Sequence, residues 1–543
     1  RFTRIKHFSG FPKNSIDFCI KEANISLKDI DFVAVNYDKL YNIKEKIKFS
    51  LSNIYSSNIL GKALFSIKKN SLNQMFIKTY GVDLDKKIVS VPHHLAHILS
   101  TFYFYDLKDG IGISIDGSGD FSTSEIYSLD QDITLIEKVN YPHSLGIFYQ
   151  SMTQLLGFKN YGDEYKIMGL ASYGKPIYKD RIKKIIYKSK SFFELNLKYF
   201  DHHKSVVDYD FESGTPYFED LYSLNLEKLL GKSRKINEPI TKFHKDLASS
   251  IQYVFEEIVL DKINDIYKKH GNKNLCLSGG CIFNSSLNGK IIEKTKFKNI
   301  YFSPNVGDAG GAIGSALYLA KKYEKKLSFD PNPYLGTEYN NKYIEKNIVN
   351  KIKENENYKI NYFDNFEKLI DFIITFLEKS NVVGWFQDKM EWGPRALGNR
   401  SILGDPRVKN MKDIINLKIK KREEFRPFAP SVLESEANNY FNIDKPSPYM
   451  NSVYSVKNNI QEIIPAVVHI DNTSRVQTVS EDMNRKYYNL IKQFGYKTGV
   501  PILLNTSLNV NEPICESPEN AMEVFTKTSM DAIAIQNYVF SKK

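Results

Sequence analysis

Short β-rich runs alternate with helical periodicity over the first 130 residues of the chain. Asp31-Phe-Val-Ala-Val, Lys87-Ile-Val-Ser-Val and Ile111-Gly-Ile-Ser-Ile read as strands, and apolar residues recur at helical spacing between them. That alternation predicts an α/β architecture, a mixed or parallel sheet flanked by helices. The plan returns between residues 243 and 321: a helix over 244–270, the strand Asn274-Leu-Cys-Leu, a Gly-Gly turn, a helix, the strand Ile300-Tyr-Phe, and an Asp-Ala-Gly-Gly turn opening an Ala/Gly-rich helix. Two prolines and a glycine in Phe329-Asp-Pro-Asn-Pro-Tyr-Leu-Gly then break the periodicity, and a polar stretch follows to 357. The pattern restarts with a helix over 366–379 and the strand Val382-Val-Gly-Trp-Phe, and closes on Ile502-Leu-Leu-Asn and Ala532-Ile-Ala-Ile. The expected organisation is therefore a domain over 1–330, a connecting segment over 331–357 and a second domain over 358–543.

Length and composition fit this division. A chain of 543 residues calls for at least two domains, and 42% hydrophobic with 25% charged residues is an ordinary globular balance. The longest apolar runs fall short of the ~20 residues that a membrane-spanning helix needs, so no membrane association is expected. Lys+Arg exceed Asp+Glu by 75 − 63 = 12, a balance that suits anionic partners. The lysines are scattered, however, and the aromatics form no RNA-binding stripe, so nucleic acid is not expected. The four cysteines show no CxxC pairing and no zinc-finger histidines, which points to a reducing, cytoplasmic compartment.

The chemistry gathers in glycine turns and basic clusters. In Val91-Pro-His-His-Leu-Ala-His, His93 and His97 stand at i and i+4, so a helix from Pro92 would present both imidazoles on one face, as metal ligands or as capping and packing groups. Ile113-Ser-Ile-Asp-Gly-Ser-Gly-Asp is a strand running into a tight turn, with Asp116 at the strand end and Gly117 beside it. Leu277-Ser-Gly-Gly-Cys (Gly279, Gly280) and Val306-Gly-Asp-Ala-Gly-Gly-Ala (Asp308, Gly310, Gly311) repeat the strand, glycine turn and helix plan of a phosphate or nucleotide cradle. No GxxxxGK[ST] is present, which argues against a P-loop NTPase. Farther on, Glu391-Trp-Gly-Pro-Arg-Ala-Leu-Gly-Asn-Arg-Ser, Lys420-Lys-Arg-Glu-Glu-Phe-Arg-Pro-Phe-Ala-Pro, Thr473-Ser-Arg-Val-Gln and Asn505-Thr-Ser concentrate guanidinium groups, amides and hydroxyls. Such clusters either grip a compact oxyanion or pair structurally with Glu391, Glu423 and Asp405.

Taken as an ordered set, His93-His-Leu-Ala-His97, Asp116-Gly-Ser-Gly, Ser144-Leu-Gly-Ile-Phe-Tyr, Glu164-Tyr-Lys-Ile-Met-Gly-Leu-Ala, Gly279-Gly280, Gly393-Pro-Arg-Ala-Leu-Gly, Phe425-Arg-Pro-Phe-Ala-Pro and Asn505-Thr-Ser resemble the O-carbamoyltransferase family that includes nodulation-factor, cephem and tobramycin carbamoyltransferases. The resemblance spans the whole chain. It implies an N-terminal domain of actin-like fold (the ASKHA, threonylcarbamoyltransferase-like type) and a C-terminal YrdC-like α/β domain. The implied substrates are carbamoyl phosphate, ATP with Mg(2+), and a hydroxylated small-molecule acceptor; a homo-oligomer is allowed.

By the same resemblance His93, His97, Asp116 and Asp308 are ligands of a divalent metal, with Fe(2+) as the implied ion, although the donor chemistry equally suits Mn or Zn. Lys6, in Arg4-Ile-Lys-His, matches a lysine of the transfer site, where Asp116 is also catalytic. Gly117, Gly279, Gly280, Gly310 and Gly311 would shape the adenylate cleft. Arg395, Lys420, Arg426, Arg475 and Ser507 match positions that bind carbamoyl phosphate and nucleotide phosphates, Arg395 and Lys420 with catalytic roles.

Departures from the family pattern carry expectations of their own. A His-Asp-Ser-Ala-type segment normally precedes the Arg-Phe-Thr-Arg-Ile-Lys-His match, so the sequence is expected to be truncated at its N-terminus, with the first strands missing. Asp388-Lys389 stands where Gly-Arg is common and reads as a tolerated change, although the charge of Asp388 opposes phosphate. Residues 191–242, with Phe200-Asp-His-His and Tyr217-Phe-Glu-Asp-Leu-Tyr, match no motif and are expected to line the acceptor pocket. Rival readings are a hydrogenase-maturation carbamoyltransferase, disfavoured by the missing CxxC pairs, a tRNA-modifying threonylcarbamoyl enzyme, and a non-catalytic actin-fold regulator that binds nucleotide.

Overall fold

The computed structural model describes residues 1–52, 71–204, 216, 218–271, 273–325 and 331–543. The chain separates into two compact units, His7–Pro331 and a second made of Arg1–Lys6 with Asn332–Lys543.

The N-terminal unit is organised by β1 (Val33–Val35), β2 (Ile88–Ser90), α1 (His93–Phe102), β3 (Gly110–Gly119), β4 (Ser122–Leu129), β5 (Ile133–Asn140), α2 (Lys242–His270), β6 (Leu275–Ser278), β7 (Ile300–Phe302) and α3 (Asp308–Lys322). Its main sheet has the order β5-β4-β3-β6-β7. Only β4 runs against its neighbours, while β3, β6 and β7 are mutually parallel. Numbered along the chain this is the order 3-2-1-4-5 with the second strand reversed, the sheet of an actin-like half. A separate parallel pair joins β1 to β2.

Helix α1 explains why the parallel strands need no polar face. Nine of its ten residues are buried, and Leu95, Ile98, Leu99 and Phe102 pack on Tyr127, Leu129 and Cys276 of the sheet. Helix α3 lies against it so closely that a Cβ at Gly314 would stand 1.9 Å from the Ala96 carbonyl oxygen. Gly314→Ala is expected to force the two helices apart and cost about 1–3 kcal/mol, read as a lowered urea midpoint of this unit.

The C-terminal unit is built on β8 (Tyr358–Tyr362), α4 (Phe366–Glu378), β9 (Val383–Phe386), β10 (Arg400–Gly404), β11 (Ala429–Leu433), β12 (Gln477–Val479), α5 (Arg485–Thr498), β13 (Ile502–Ser507), β14 (Ala532–Ile535) and β15 (Tyr538–Lys542). Eight strands form one mixed sheet in the order β8-β15-β14-β9-β10-β13-β11-β12. Successive side chains divide between two cores, as the two-residue period of a strand requires. Val383, Trp385, Leu403, Leu503, Ala532 and Ala534 face α4 and α5. Phe386, Ile402, Ile502, Leu504, Ile533 and Ile535 face the other core, with Ile415, Ile419 and Phe428. Both faces are dry, which is why these strands read as continuous apolar runs.

Two expected boundaries differ from the structure. The stretch assigned to a connector carries a helical segment from Asn341 whose Ile344 and Ile348 are buried in the C-terminal core, so it belongs to that unit. Arg1–Lys6, expected in the first domain, belongs to the second unit because Arg1 and Arg4 anchor there. Residues 205–215 and Tyr217 of the expected acceptor segment, and the break at 326–330, lie outside the described residues.

Candidate active site

Four chemically related side chains meet in the N-terminal unit. The i,i+4 spacing on α1 sets the rings of His93 and His97 with centroids 4.5 Å apart and planes nearly perpendicular. Their Nε2 atoms face each other at 3.1 Å. Asp116 joins them from β3, where the pairing with β4 slips between Ile115 and Gly119 and re-aims the side chain. Its Oδ2 lies 2.9 Å from His97 Nε2 and 3.5 Å from His93 Nε2. Asp308, the first residue of α3, brings Oδ1 to 3.4 Å and 3.8 Å from the same two nitrogens. One ligand atom from each of the four lies within 4.8 Å of all the others.

This arrangement fits a divalent cation. Burial disfavours a charged His97, yet its contacts with Asp116 and Asp308 outweigh burial and raise its imidazole to about 10. Burial likewise works against an ionised Asp116, but His93 and His97 hold its carboxyl well below the usual range. Two imidazole nitrogens converging with two carboxylate oxygens form an N/O donor set of the kind that Fe, Mn and Zn accept.

The supporting contacts keep these donors in place. Asp120 Oδ2 accepts the His93 backbone N–H at 2.8 Å, and its Oδ1 accepts that of Asp38 at 3.0 Å. An acceptor carboxylate at the first residue of α1 also complements the helix dipole. Ser144 Oγ donates to the Gly117 carbonyl at 2.6 Å, and the Gly117 N–H donates to Asp116 Oδ1 at 2.7 Å. Gly279 sits at φ +94, with a would-be Cβ 2.3 Å from the Ile115 carbonyl, and one at Gly280 would be 2.9 Å from Asp116 Oδ1. Three of the expected cradle glycines thus converge on Asp116. Gly310 and Gly311 are buried, facing Asn305 and Asn36, and that close packing demands glycine there. Lys6 lies in the other unit and does not share the unit of the histidines.

Glu164 opens a helix over Glu164–Ala171. Burial, reinforced by neighbouring Asp163, pushes its carboxyl from an ordinary 4.5 up to about 7. The folded chain prefers the protonated acid, so stability is full below about pH 4.5 and falls as pH climbs through 7. Glu164→Gln is expected to remove a penalty of about 3 kcal/mol at pH 8 and to change nothing at pH 4; urea midpoints at the two pH values check it.

The C-terminal unit holds a group of cations. Arg395 lies on the loop between β9 and β10, Arg475 on a short strand, Arg422 and Arg426 on the loop before β11, and Lys420 at the end of a π-helical turn. Burial lowers the Arg395 guanidinium to about 10. Burial, then repulsion from Arg395, Arg422 and Arg426, holds Arg475 well below its usual range. The Nε atoms of both Arg395 and Arg475 are buried without a hydrogen-bond partner. Like charges gathered with donors to spare have the chemistry to receive a compact dianion.

Arg400 and Arg407 of this unit have structural partners instead. Arg400 spends its guanidinium on the carbonyls of Gln387, Asn399, Thr337 and Asp388, and Arg407 pairs with Asp405 at 2.7 Å. Arg426 has Glu423 at 3.5 Å. Asp388, whose charge would oppose phosphate, pairs with Lys486 at 2.6 Å.

Lys420 is held among oxygen acceptors of its own unit. Its Nζ donates to the Ser507 carbonyl (2.6 Å), the Asn509 carbonyl (2.8 Å) and Asn509 Oδ1 (2.7 Å), which engages all three ammonium protons. Lys420 therefore orders the turn that carries Ser507. Asn505 likewise donates to the Ala396 carbonyl at 3.1 Å and steadies the loop of Arg395.

Comparisons with known proteins agree with this two-part layout. A family model described as Carbamoyltransferase N-terminus matches residues 1–317, and one described as Carbamoyltransferase C-terminus matches 374–542. The chain belongs to the carbamoyltransferase family. An uncharacterized protein of Synechocystis sp. is 35% identical over 100% of this chain and 92% of its own length. Nodulation protein NolNO of Sinorhizobium fredii is 33% identical over 100% of this chain and 76% of its own. Nodulation protein NolO of Bradyrhizobium diazoefficiens is 33% identical over 83% and 79%. A solved HypF structure from T. kodakarensis aligns at 17% identity over 46% of this chain and 38% of its own, with a TM-score of 0.25, too slight a likeness to bear weight.

Several residues of this carbamoyltransferase escaped the sequence reading. Arg422 stands inside the Lys420-Lys-Arg run, two residues from Lys420 and four from Arg426. Asp120 closes the Asp116-Gly-Ser-Gly turn, and Asn509 lies two residues past Ser507. Neither carries a spacing that marks it. Among the described residues no helix is long and apolar enough to cross a membrane.

Proposed function

We propose that this carbamoyltransferase is ATP-dependent and works in two stages, one in each unit. The observation that carries the reading is the separation of two unlike sites: a buried cation cluster with unused donors in one unit, and the His93, His97, Asp116 and Asp308 group in the other. In the first stage water attacks the phosphorus of carbamoyl phosphate and breaks its O–P bond, releasing inorganic phosphate and carbamate, and the carbamate oxygen then attacks the α-phosphorus of ATP, supplied with Mg(2+), displacing pyrophosphate. Carbamoyladenylate and pyrophosphate result. Arg395 and Arg475 bind the departing phosphate and neutralise its developing charge. Arg422 and Arg426 add to the same field, and Lys420 and Ser507 shape the adjoining turn.

In the second stage the hydroxyl of a small-molecule acceptor, a sugar or other natural product, attacks the carbamoyl carbon and AMP leaves. His93, His97, Asp116 and Asp308 would hold a divalent metal, iron in this proposal, which when bound polarises the carbamoyl oxygen. Asp120 fixes His93 through its backbone, and Ser144 with the glycine turns holds Asp116 at the rim. The test is incubation with ATP, Mg(2+), carbamoyl phosphate and a panel of sugars and natural-product alcohols, followed by mass spectrometry. AMP and pyrophosphate formation with a carbamoyl mass gain on an acceptor is expected. Carbamoyl transfer without AMP would overturn the adenylate route.

A further inference from the structure

The hexapeptide Arg1–Lys6 belongs to the C-terminal unit, and its two arginines reach different loops of the cation site. Arg4 Nη1 donates to the carbonyls of Pro513 (2.6 Å) and Ile514 (2.9 Å), and its Nη2 lies 3.2 Å from Glu512 Oε1. Glu512 in turn organises the turn before it. Its carboxylate accepts the backbone N–H groups of Val510 and Asn511 at 3.0 Å each, and its carbonyl accepts Asn509 Nδ2 at 2.5 Å. Asn509 Oδ1 accepts from both Lys420 Nζ and Ser507 Oγ, each at 2.7 Å. A short relay therefore runs from Arg4 through Glu512 and Asn509 to Lys420 and Ser507.

Arg1 does the equivalent on the other side. Its Nη2 donates to the Gly393 carbonyl at 2.6 Å, and its Nη1 stands 3.7 Å from Glu391 Oε2. The Glu391 side chain is fully buried, and its Oε1 accepts the N–H groups of Leu397, Asn399 and Arg400 at 2.8–3.0 Å. Those three bonds fold the loop that displays Arg395. Oε2 has no hydrogen bond of its own, so the Arg1 guanidinium is its counter-charge.

We propose that Arg1 and Arg4 are positioning residues of the phosphate site, each holding the acidic organiser of one loop so that Arg395 on one side and the Lys420–Ser507 turn on the other converge on a single dianion. The inference rests on the reading of the cation cluster as the carbamoyl phosphate site. A guanidinium fork that binds two carbonyls and a carboxylate at once fixes a turn in a way that a lone ammonium cannot, and a loop displaced by 1 Å is costly to catalysis.

The test uses the full chain with inorganic phosphate as the probe, titrated calorimetrically, together with KM and kcat for carbamoyl phosphate in AMP formation and with metal content. Arg4→Ala and Arg1→Ala are each expected to weaken phosphate binding and raise KM by about tenfold, with metal content unchanged. Arg4→Lys and Glu512→Gln, gentler on folding, should fall between these and the parent chain. Phosphate affinity and KM within twofold of the parent in all four variants would overturn the proposal, as would a lowered unfolding midpoint with both constants unchanged. If Arg395→Ala leaves phosphate binding intact, the cluster reading fails instead, and that outcome is separable from the first.

Discussion

Arg395→Ala is expected to lower carbamoyl-phosphate-dependent AMP formation by about 10²–10³-fold in kcat/KM, the usual cost of losing one donor aimed at developing charge. The expectation follows from how the arginines divide. Arg400 gives both Nη atoms to four carbonyls, which leaves only its Nε unpaired, and Arg407 pairs with Asp405, so replacing either would act on folding. Arg395 and Arg475 have buried Nε atoms with no partner, and a chain keeps such a group dehydrated only where something else compensates it. Arg475→Ala should therefore match Arg395→Ala. Arg395→Lys restores the charge without the fork, and a residual deficit of about tenfold is expected. Metal content should not change in any of the three. Pyrophosphate release assayed alongside metal analysis checks both halves of the claim, and a variant that retains parental AMP formation would sink it.

His97→Ala should have the converse phenotype. His97 is the fully buried member of the four-ligand group and the one in shortest contact with Asp116. Without it one of two nitrogen donors is gone, Asp116 loses one of the two partners that keep it ionised, and the metal should be lost on dialysis. Transfer to an acceptor hydroxyl is expected to fall at least about 10³-fold, several kcal/mol of transition-state charge stabilisation. AMP and pyrophosphate formation should continue, with carbamoyladenylate hydrolysed instead of transferred. Elemental analysis of the purified variant against the parent, combined with the two half-reaction assays, is decisive: retained metal would exclude His97 as a ligand.

Much of the scaffold was legible because its signals are local. The i,i+4 histidines and the strand-end Asp116 can be read from a few adjacent residues, and the geometry joins them. Asp308 is far along the chain, and only the resemblance connected it to them. What stayed hidden depends on backbone groups and long-range contacts. Nothing in Lys420-Lys-Arg indicates that Lys420 will be engaged by the carbonyls of Ser507 and Asn509. The polar stretch after Pro331 reads as a connector because Asn, Lys and Glu dominate it, yet Ile344, Ile348, Val349 and Ile352 recur at helical spacing within it and pack against the core. The hexapeptide at the start has no periodicity at all. Its membership is set by where two guanidinium groups find carbonyls.

That membership has a topological consequence. Within residues 1–543 the polypeptide passes from one unit to the other between Lys6 and His7 and again between Pro331 and Asn332. Severing the gene at the second crossing would not yield two autonomous halves: the longer product would carry six residues that the shorter one needs to complete itself. The halves should thus reassociate by fragment complementation. A synthetic peptide spanning Arg1–Lys6 should compete with that reassociation, whereas a permuted gene that joins those residues to the 332–543 portion should release it as a self-sufficient phosphate-binding protein.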